Sequence, residues 1–508
     1  MSIIPTIKPV RQWSAHGPRT VLRPQRLRDR HGVAESRAPV VVCGATAGGN
    51  PPRGAPESAG AIHKAAAGVV AGIVLTLLAG CKGVPTKSET AARQQAQAVA
   101  NVYRPQGQRP ALPVLTTNST LGDFLRFAML NQPQVEATYE DWLASVEQIT
   151  SARSLPDPQF TFQTFNAATL LSAIMPGLMV QFPGPGKLGA QAAVASAQSR
   201  TKYFAFETAV LQTAFNLKKA FYPLYFLEER LRINRETLAL IADLEKLARA
   251  QNAVGKVTLQ DVLRAQIEQD RLVTEIANLE DSRRALLAQF KAALGLRAGQ
   301  PDPPVPRRFE STPLELDSNQ LLATALARNP RLQAMEAEVR MAEAGLELAR
   351  KAKVPDFTAG LSADVQAAPV MWSPQFGVTL PVWRDKIAAQ IAAAQAGKRA
   401  AEARLSAEQI ALAVDFAAKL YSYREASRNL ALVRDQLLPK ARQSLEVARI
   451  SYLSGQLDFF NLSDTERTLL DFQLTEVAAR TERELALAEL SLLIVGVPPA
   501  GAPILATP

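Results

Sequence analysis

Few side chains in this 508-residue chain are placed to do chemistry. All three histidines (His16, His31, His63) and one of the two cysteines (Cys43) lie before residue 81, and Cys81 is the other cysteine. Beyond that point there is no material for a His/Cys metal cluster, a Ser-His-Asp triad or a Cys-His dyad. What remains is a cysteine behind small residues, Leu78-Ala79-Gly80-Cys81, and polar residues at two glycine turns. Asp261 follows Gly255; Asp458, Asn461 and Asp464 follow Gly455. The first pattern suits thiol acylation. The second suits an acidic constriction that attracts cations or ordinary helix caps, since Asp261 and Asp458 stand where an N-cap or first turn would begin. Methionines at 129, 175, 179, 335, 341 and 371 could hold Cu(I), but core packing or lipid contact is the better-supported role for Met175 and Met179.

The glycine turns lie at the centres of two long helical patterns. Lys386 to Gly496 reads as a helical hairpin with one proline, Pro439, and a turn signal over 451–464. Lys187 to Gly295 repeats the design with Pro223 and a turn signal over 252–263, so Gly255 matches Gly455 and Asp261 matches Asn461. A helix from Lys187 to about Ala253 would be on the order of 100 Å long, far beyond an ordinary domain. Ile233, Thr237, Leu240, Leu244 and Leu247 carry coiled-coil spacing, as do Leu272, Ile276, Leu279, Arg283, Leu286 and Phe290.

The duplication extends further back. Leu121–Arg153 reads as a helix containing Pro133, and Leu321–Arg350 as one containing Pro330. Pro133/Pro330, Ala137/Ala334, Arg153/Arg350, Pro158/Pro355 and Phe160/Phe357 match at one constant offset, which marks an internal repeat. Each helix is followed by strand character: 159–165 and 177–183 in the first half, 357–365 and 375–381 in the second. Strands of this length suit a tilted membrane strand of about 9–11 residues. Two hairpins cannot close a barrel, and open edges are not tolerated in lipid. Membrane strands would therefore need other copies of the chain; a soluble four-stranded sheet is the alternative.

Composition agrees. Aromatic residues make up only 6 %, and alanine and leucine dominate the second half, which favours long helices. Residues 1–80 carry ten Lys/Arg against three Asp/Glu, so only +3 of the net +10 belongs to the remainder. Nucleic acid is therefore not an expected partner. Residues 1–62 are rich in Arg, Pro and Gly and read as disordered or as upstream of the true translation start. His63-Lys64, an apolar run to Leu78 and Ala79-Gly80-Cys81 give a signal-peptide profile with a lipobox.

Helix, hairpin and long coiled coil, stated twice behind a lipobox, resemble the outer membrane efflux protein family. The resemblance covers about 118–497 and rests on the Pro133/Pro330 pair, the strand-Pro-Lys turns (Pro183-Gly-Pro-Gly-Lys187 and Pro381 to Lys386), the two glycine tips, and the Leu-Gly295 and Val-Gly496 endings. The anchor and the Lys187 turn look most like the lipoprotein branch paired with heavy-metal and drug pumps. The resemblance implies a mainly α fold with a small β part. Three copies would pool their strands into a twelve-stranded outer-membrane barrel, continued by a periplasmic α-helical barrel. It implies a passive, non-enzymatic duct that docks a periplasmic adaptor and an inner-membrane pump. It makes Asp464 and Asp261 candidate gate acids, with Asn461 where the family often has Asp and Asp458 nearby. It also implies diacylglycerol and palmitate on Cys81, with no other cofactor and no metal. A lipid-anchored periplasmic scaffold without a pore is the alternative. The expected segments are a leader 1–80 (signal peptide 63–80), an extended lipid-anchored linker 81–118, a first repeat 119–296, a linker 297–318, a second repeat 319–497 and a tail 498–508.

Overall fold

The computed structural model describes residues 84–167, 170–305 and 318–494. The expected leader, the expected acylation residue Cys81, residues 306–317 of the inter-repeat linker and the tail lie outside the described residues. The rest is mainly helical with one small antiparallel sheet. No described helix is long and apolar enough to cross a membrane.

The 81–118 linker is not extended throughout. Lys87–Tyr103 forms helix α1, capped by Thr86, whose side chain accepts from the Glu89 N–H at 3.2 Å. Two anchors hold α1 to the body. Tyr103 is fully buried, its ring 4.8 Å from that of Tyr139 and 5.9 Å from that of Phe206. Glu89 is buried and accepts from Arg153, from Thr150 at 2.7 Å and from Arg93 at 3.2 Å. Burial alone would raise the Glu89 carboxyl, but these donors outweigh it and hold it down at about 2.

Each expected proline-bearing helix is two helices: α2 (Leu121–Asn131) and α3 (Pro133–Arg153), then α6 (Ser318–Arg328) and α7 (Pro330–Lys351). Proline takes the first helical position, where its missing N–H is not needed, and it pushes the preceding residue into extended backbone. Gln132 has ψ 118° and Asn329 has ψ 122°. The break frees an asparagine on each side of the repeat. Asn131 Nδ2 donates to the Leu294 carbonyl at 2.9 Å, and Asn329 Nδ2 to the Leu493 carbonyl at 3.3 Å. Each long hairpin is thereby tied back to the start of its own repeat.

The strands are β1 (Gln159–Ala167), β2 (Leu170–Phe182), β3 (Asp356–Asp364) and β4 (Met371–Thr379), in the order β1-β2-β3-β4. After β2 comes α4 (Lys187–Ala253), 67 residues long and unbroken at Pro223, then α5 (Leu259–Ala293). After β4 come α8 (Arg384–Leu432), a π segment Val433–Leu437, α9 (Leu438–Leu453) and α10 (Phe459–Leu493). Pro439 thus falls on the second position of α9, just past the π turn.

The expected α5 stripe packs on α4, but not against the expected α4 stripe: of that one, Ile233 joins the main core and Leu244 and Leu247 join a cluster near the glycine turns. Leu227 and Leu231 of α4 cluster with Ile276, Leu279 and Leu286 of α5. Ion pairs cross the same seam: Arg235–Glu280 at 2.6 Å and Arg283–Glu228 at 2.8 Å. The helices pack side by side as a row, with α5 on α4, α4 on α10, and α10 on α8 and α9. Within the described residues α5 is one edge of this row, and α8 with α9 is the other. The main core, rich in aromatic side chains, lies where α1, α2 and α3 meet α4, around Trp142, Phe206, Phe124 and Phe221.

Candidate functional site: a two-faced sheet and two capped tips

Two regions could carry function. The first is the sheet, whose register sorts its side chains. Phe160 pairs with Leu178, Leu178 with Leu361, and Leu361 with Pro374; Phe357 pairs with Phe182 and Val378, and Ala359 with Val180 and Phe376. Paired residues share a face and neighbours along a strand alternate. One face is therefore apolar on all four strands, and it is bare: Phe376 is 84 % exposed and Phe160 73 %. The other face carries Gln159, Thr161, Gln163, Gln181, Thr358, Ser362, Ser373 and Gln375. Here Gln375 Nε2 donates to Ser362 Oγ at 3.2 Å. Met175, Met179 and Met371 share this polar face, so neither Met175 nor Met179 is in the lipid-contact or core position expected of it. Exposed Trp372 is the second residue of β4, and exposed Trp383 follows the strand. Such a pair brackets an apolar band as the aromatic girdles of membrane barrels do.

Among the described residues β1 and β4 are the edge strands, and each pairs on one side only. Pro374 in β4 is tolerated because it lies on an edge. The β2–α4 junction is tight: Asp356 Oδ1 accepts from the Gly184 N–H and from Lys187 Nζ, both at 2.7 Å. A Cβ on Gly184 would meet Val354 Cγ1 at 2.7 Å, so only glycine fits there.

The second region is the pair of tips. Gly255 (φ +75°) and Gly455 (φ +76°) turn the chain in the left-handed region. Lys256 N–H donates to the Gln251 carbonyl at 2.9 Å, and Gln456 N–H to the Ser451 carbonyl at 2.9 Å, so both helices end in the same motif. Their exits differ. In the first tip Thr258 is the N-cap, and Asp261 closes a capping box, accepting from Thr258 Oγ1 at 2.8 Å and from its N–H at 3.1 Å. In the second tip Asp458 is the N-cap; its Oδ1 accepts from the Asn461 N–H at 2.9 Å and from Asn461 Nδ2 at 2.7 Å. Asp261, Asp458 and Asn461 are thus engaged in capping. Asp464 stands apart: it is exposed, and among the described residues its carboxylate has no hydrogen bond or ion pair.

Behind the turns the two hairpins share one apolar cluster, made by Leu244, Ala248, Val262 and Ala265 from the first and Ala448, Tyr452, Phe459 and Leu462 from the second. Arg264 lies 5.0 Å over the Phe460 ring, and Arg467 reaches Glu268 at 3.7 Å. Glu466, unmarked by any sequence motif, is buried on α10 beside this cluster. Only its place on the inward stripe of α10, one helical turn past Leu462, could have pointed to it.

Residues 321–496 match the family model for outer membrane efflux proteins. The cobalt-zinc-cadmium resistance protein CzcC of Cupriavidus metallidurans is 25 % identical over 270 residues, which cover 50 % of this chain and 61 % of that protein. The fold is similar to that of CusC (TM-score 0.64, 16 % identity, 76 % of this chain and 98 % of that one). It is also similar to the open-state MtrE outer membrane channel of Neisseria gonorrhoeae (TM-score 0.62, 15 % identity, 76 % and 93 %).

Proposed function

We propose that this chain, which matches the outer membrane efflux protein model over residues 321–496 and shares the fold of CusC, is the outer-membrane exit duct of a tripartite efflux system. It conducts passively, without catalysis, from a periplasmic adaptor and an inner-membrane pump to the outside, and Cys81 carries the lipid anchor. The observation that carries this reading is the sheet, apolar and bare on one face, polar on the other, and unpaired at both edges. Four strands cannot enclose a pore, whereas about eight or more can. Other copies must therefore supply the remaining strands, and the family resemblance selects three copies. The helical edges support the same assembly. Leu259, Leu263 and Ile267 form an exposed apolar stripe on α5, and Val447, Ile450 and Leu453 form one on α9. These stripes suit side-by-side packing of neighbouring copies. The polar sheet face then lines the lumen, and three copies of Asp464 add negative charge at the mouth. CzcC, named for cobalt, zinc and cadmium resistance, makes divalent metal ions the first cargo to test.

The test is single-channel conductance of the detergent-extracted chain in planar bilayers, with Asp464→Ala beside the wild type. Discrete cation-selective steps, less selective in the variant, are the expected result. Steps unchanged by the substitution would keep the duct and remove Asp464 from its mouth. A Cys81→Ser chain that becomes soluble without detergent would overturn the barrel in favour of a lipid-tethered scaffold.

A further inference from the structure

Glu466 lies two turns into α10 and is 5 % exposed. Its Oε2 has no hydrogen-bond partner, and neither do two other buried polar atoms on adjoining helices, Tyr452 Oη on α9 and Gln269 Nε2 on α5. The surrounding charges are committed elsewhere. On α10 itself Arg467 is drawn to Glu268 of α5, which also holds Arg271 at 3.4 Å. On α4 Glu245 is taken by Arg249 and accepts from Gln266 Nε2 at 3.1 Å. Asp261 of α5 is closed in its capping box. On α9 Arg449 attracts the Glu466 carboxylate, but burial outweighs that attraction. A carboxyl group in such a place favours its neutral form.

We propose that Glu466 is a proton-operated latch between the two coiled-coil hairpins: protonated, it stays packed and the hairpins stay joined; ionised, it draws in water and lets the second hairpin leave the first. This deepens the reading of the tips as the mouth of the duct, and rests on it for its functional meaning. The apolar cluster shared by the hairpins does not respond to pH, and the polar links at this level, Arg467–Glu268 and Arg264–Phe460, lie at the surface, where such pairs contribute little. The buried group is therefore the stronger lever.

The sense of the effect follows from linkage. Burial pushes the Glu466 carboxyl up to about 7 in the packed state, against 4.5 for an ordinary glutamate. The packed state therefore holds its proton to higher pH than the separated one. The latch's contribution is fully present below 4.5 and is lost as pH rises through about 7. Across that window the packed-to-separated ratio changes by up to a few hundredfold.

The test is amide hydrogen exchange of the full detergent-extracted chain from about pH 5 to pH 8.5, corrected for the intrinsic pH dependence of exchange and read over residues 244–248 and 445–466. Protection in the wild type should fall as pH rises through about 7. Glu466→Gln should hold the acid-state protection at every pH. Glu466→Leu, similar in size and without a titratable group, repeats the test in case the glutamine amide is itself left unpaired. Wild-type protection that ignores pH, or pH dependence that survives in both variants, would overturn the latch. Hydrogen exchange reads hairpin separation without requiring a conducting pore, so failure of the duct and failure of the latch give different results.

Discussion

The two repeats handle the same obstacle in different ways. Each long descending arm meets one proline. In the first repeat α4 runs through Pro223 without interruption, and the neighbouring Phe221, Tyr222, Leu224 and Phe226 are all buried. In the second, the chain makes a π turn at Val433–Leu437 before Pro439, where Arg434 and Asp435 are exposed and pair with each other. A π turn accommodates one extra residue in a helix. The first arm, buttressed by α1 and α3, has its proline enclosed by packed side chains. The second arm is less enclosed and contains a joint. The difference assigns rigidity to the first repeat and freedom to move to the second, which also carries Glu466 and Asp464.

Three experiments would break or sharpen this contrast. The largest effect is expected from one-residue deletions. Removing Glu236 from α4 rotates everything beyond it by about 100°. Leu244 and Ala248 would then leave the shared tip cluster, and the second hairpin would lose its partner. Removing Gln436 from the π turn should instead restore a regular helix and leave the tip packing intact. Thermal unfolding and hydrogen exchange would separate the two, and equal damage from both deletions would remove the joint from the account.

A smaller effect is expected at the buttress. Glu89→Ala leaves Arg153 and Arg93 short of their shared carboxylate and should cost about 3 kcal/mol of α1 docking, read as tryptic cleavage within α1 while the second repeat stays protected. Lowering the pH should do the same. The depressed Glu89 carboxyl gives stability that is present above 4.5 and lost as pH falls through about 2. The smallest effect is at the second tip. Asn461→Asp loses the 2.7 Å bond to Asp458 and sets two carboxylates side by side. It should cost about 0.5 kcal/mol at neutral pH, seen as faster exchange in the turn at Gly455, while adding charge at the tip.

The sequence made the repeated plan plain because its signals are local. Gly255 and Gly455 occupy backbone that glycine adopts most readily, Pro133 and Pro330 start helices, and the 4-and-3 spacing of Leu272, Ile276, Leu279 and Leu286 marks an inward stripe of α5. What it concealed depends on distant partners. The α1 segment, rich in Ala and Gln, offers only a thin stripe of Ala92, Ala96, Val99 and Tyr103, and besides Tyr103 it docks through Glu89, whose partners Thr150 and Arg153 lie far along the chain. The polar-face position of Met175 and Met179 follows from strand register, which composition alone leaves open. Asp261 and Asp464 look alike as acids near a glycine turn, yet one is spent on a capping box and the other is free of partners among the described residues. Glu466 is an ordinary polar letter in a helix until a neighbouring hairpin covers it.

If the chain is the duct proposed above, the unpaired edges of β1 and β4 also bear on how it would enter a membrane. A single chain entering lipid would carry two rows of bare backbone N–H and C=O groups, each costing several kcal/mol there. Insertion and assembly are then one event, governed by mass action. The yield of inserted pores should rise more steeply than in proportion to the supply of chains, and a cell making too few would accumulate uninserted protomers rather than leaky partial barrels.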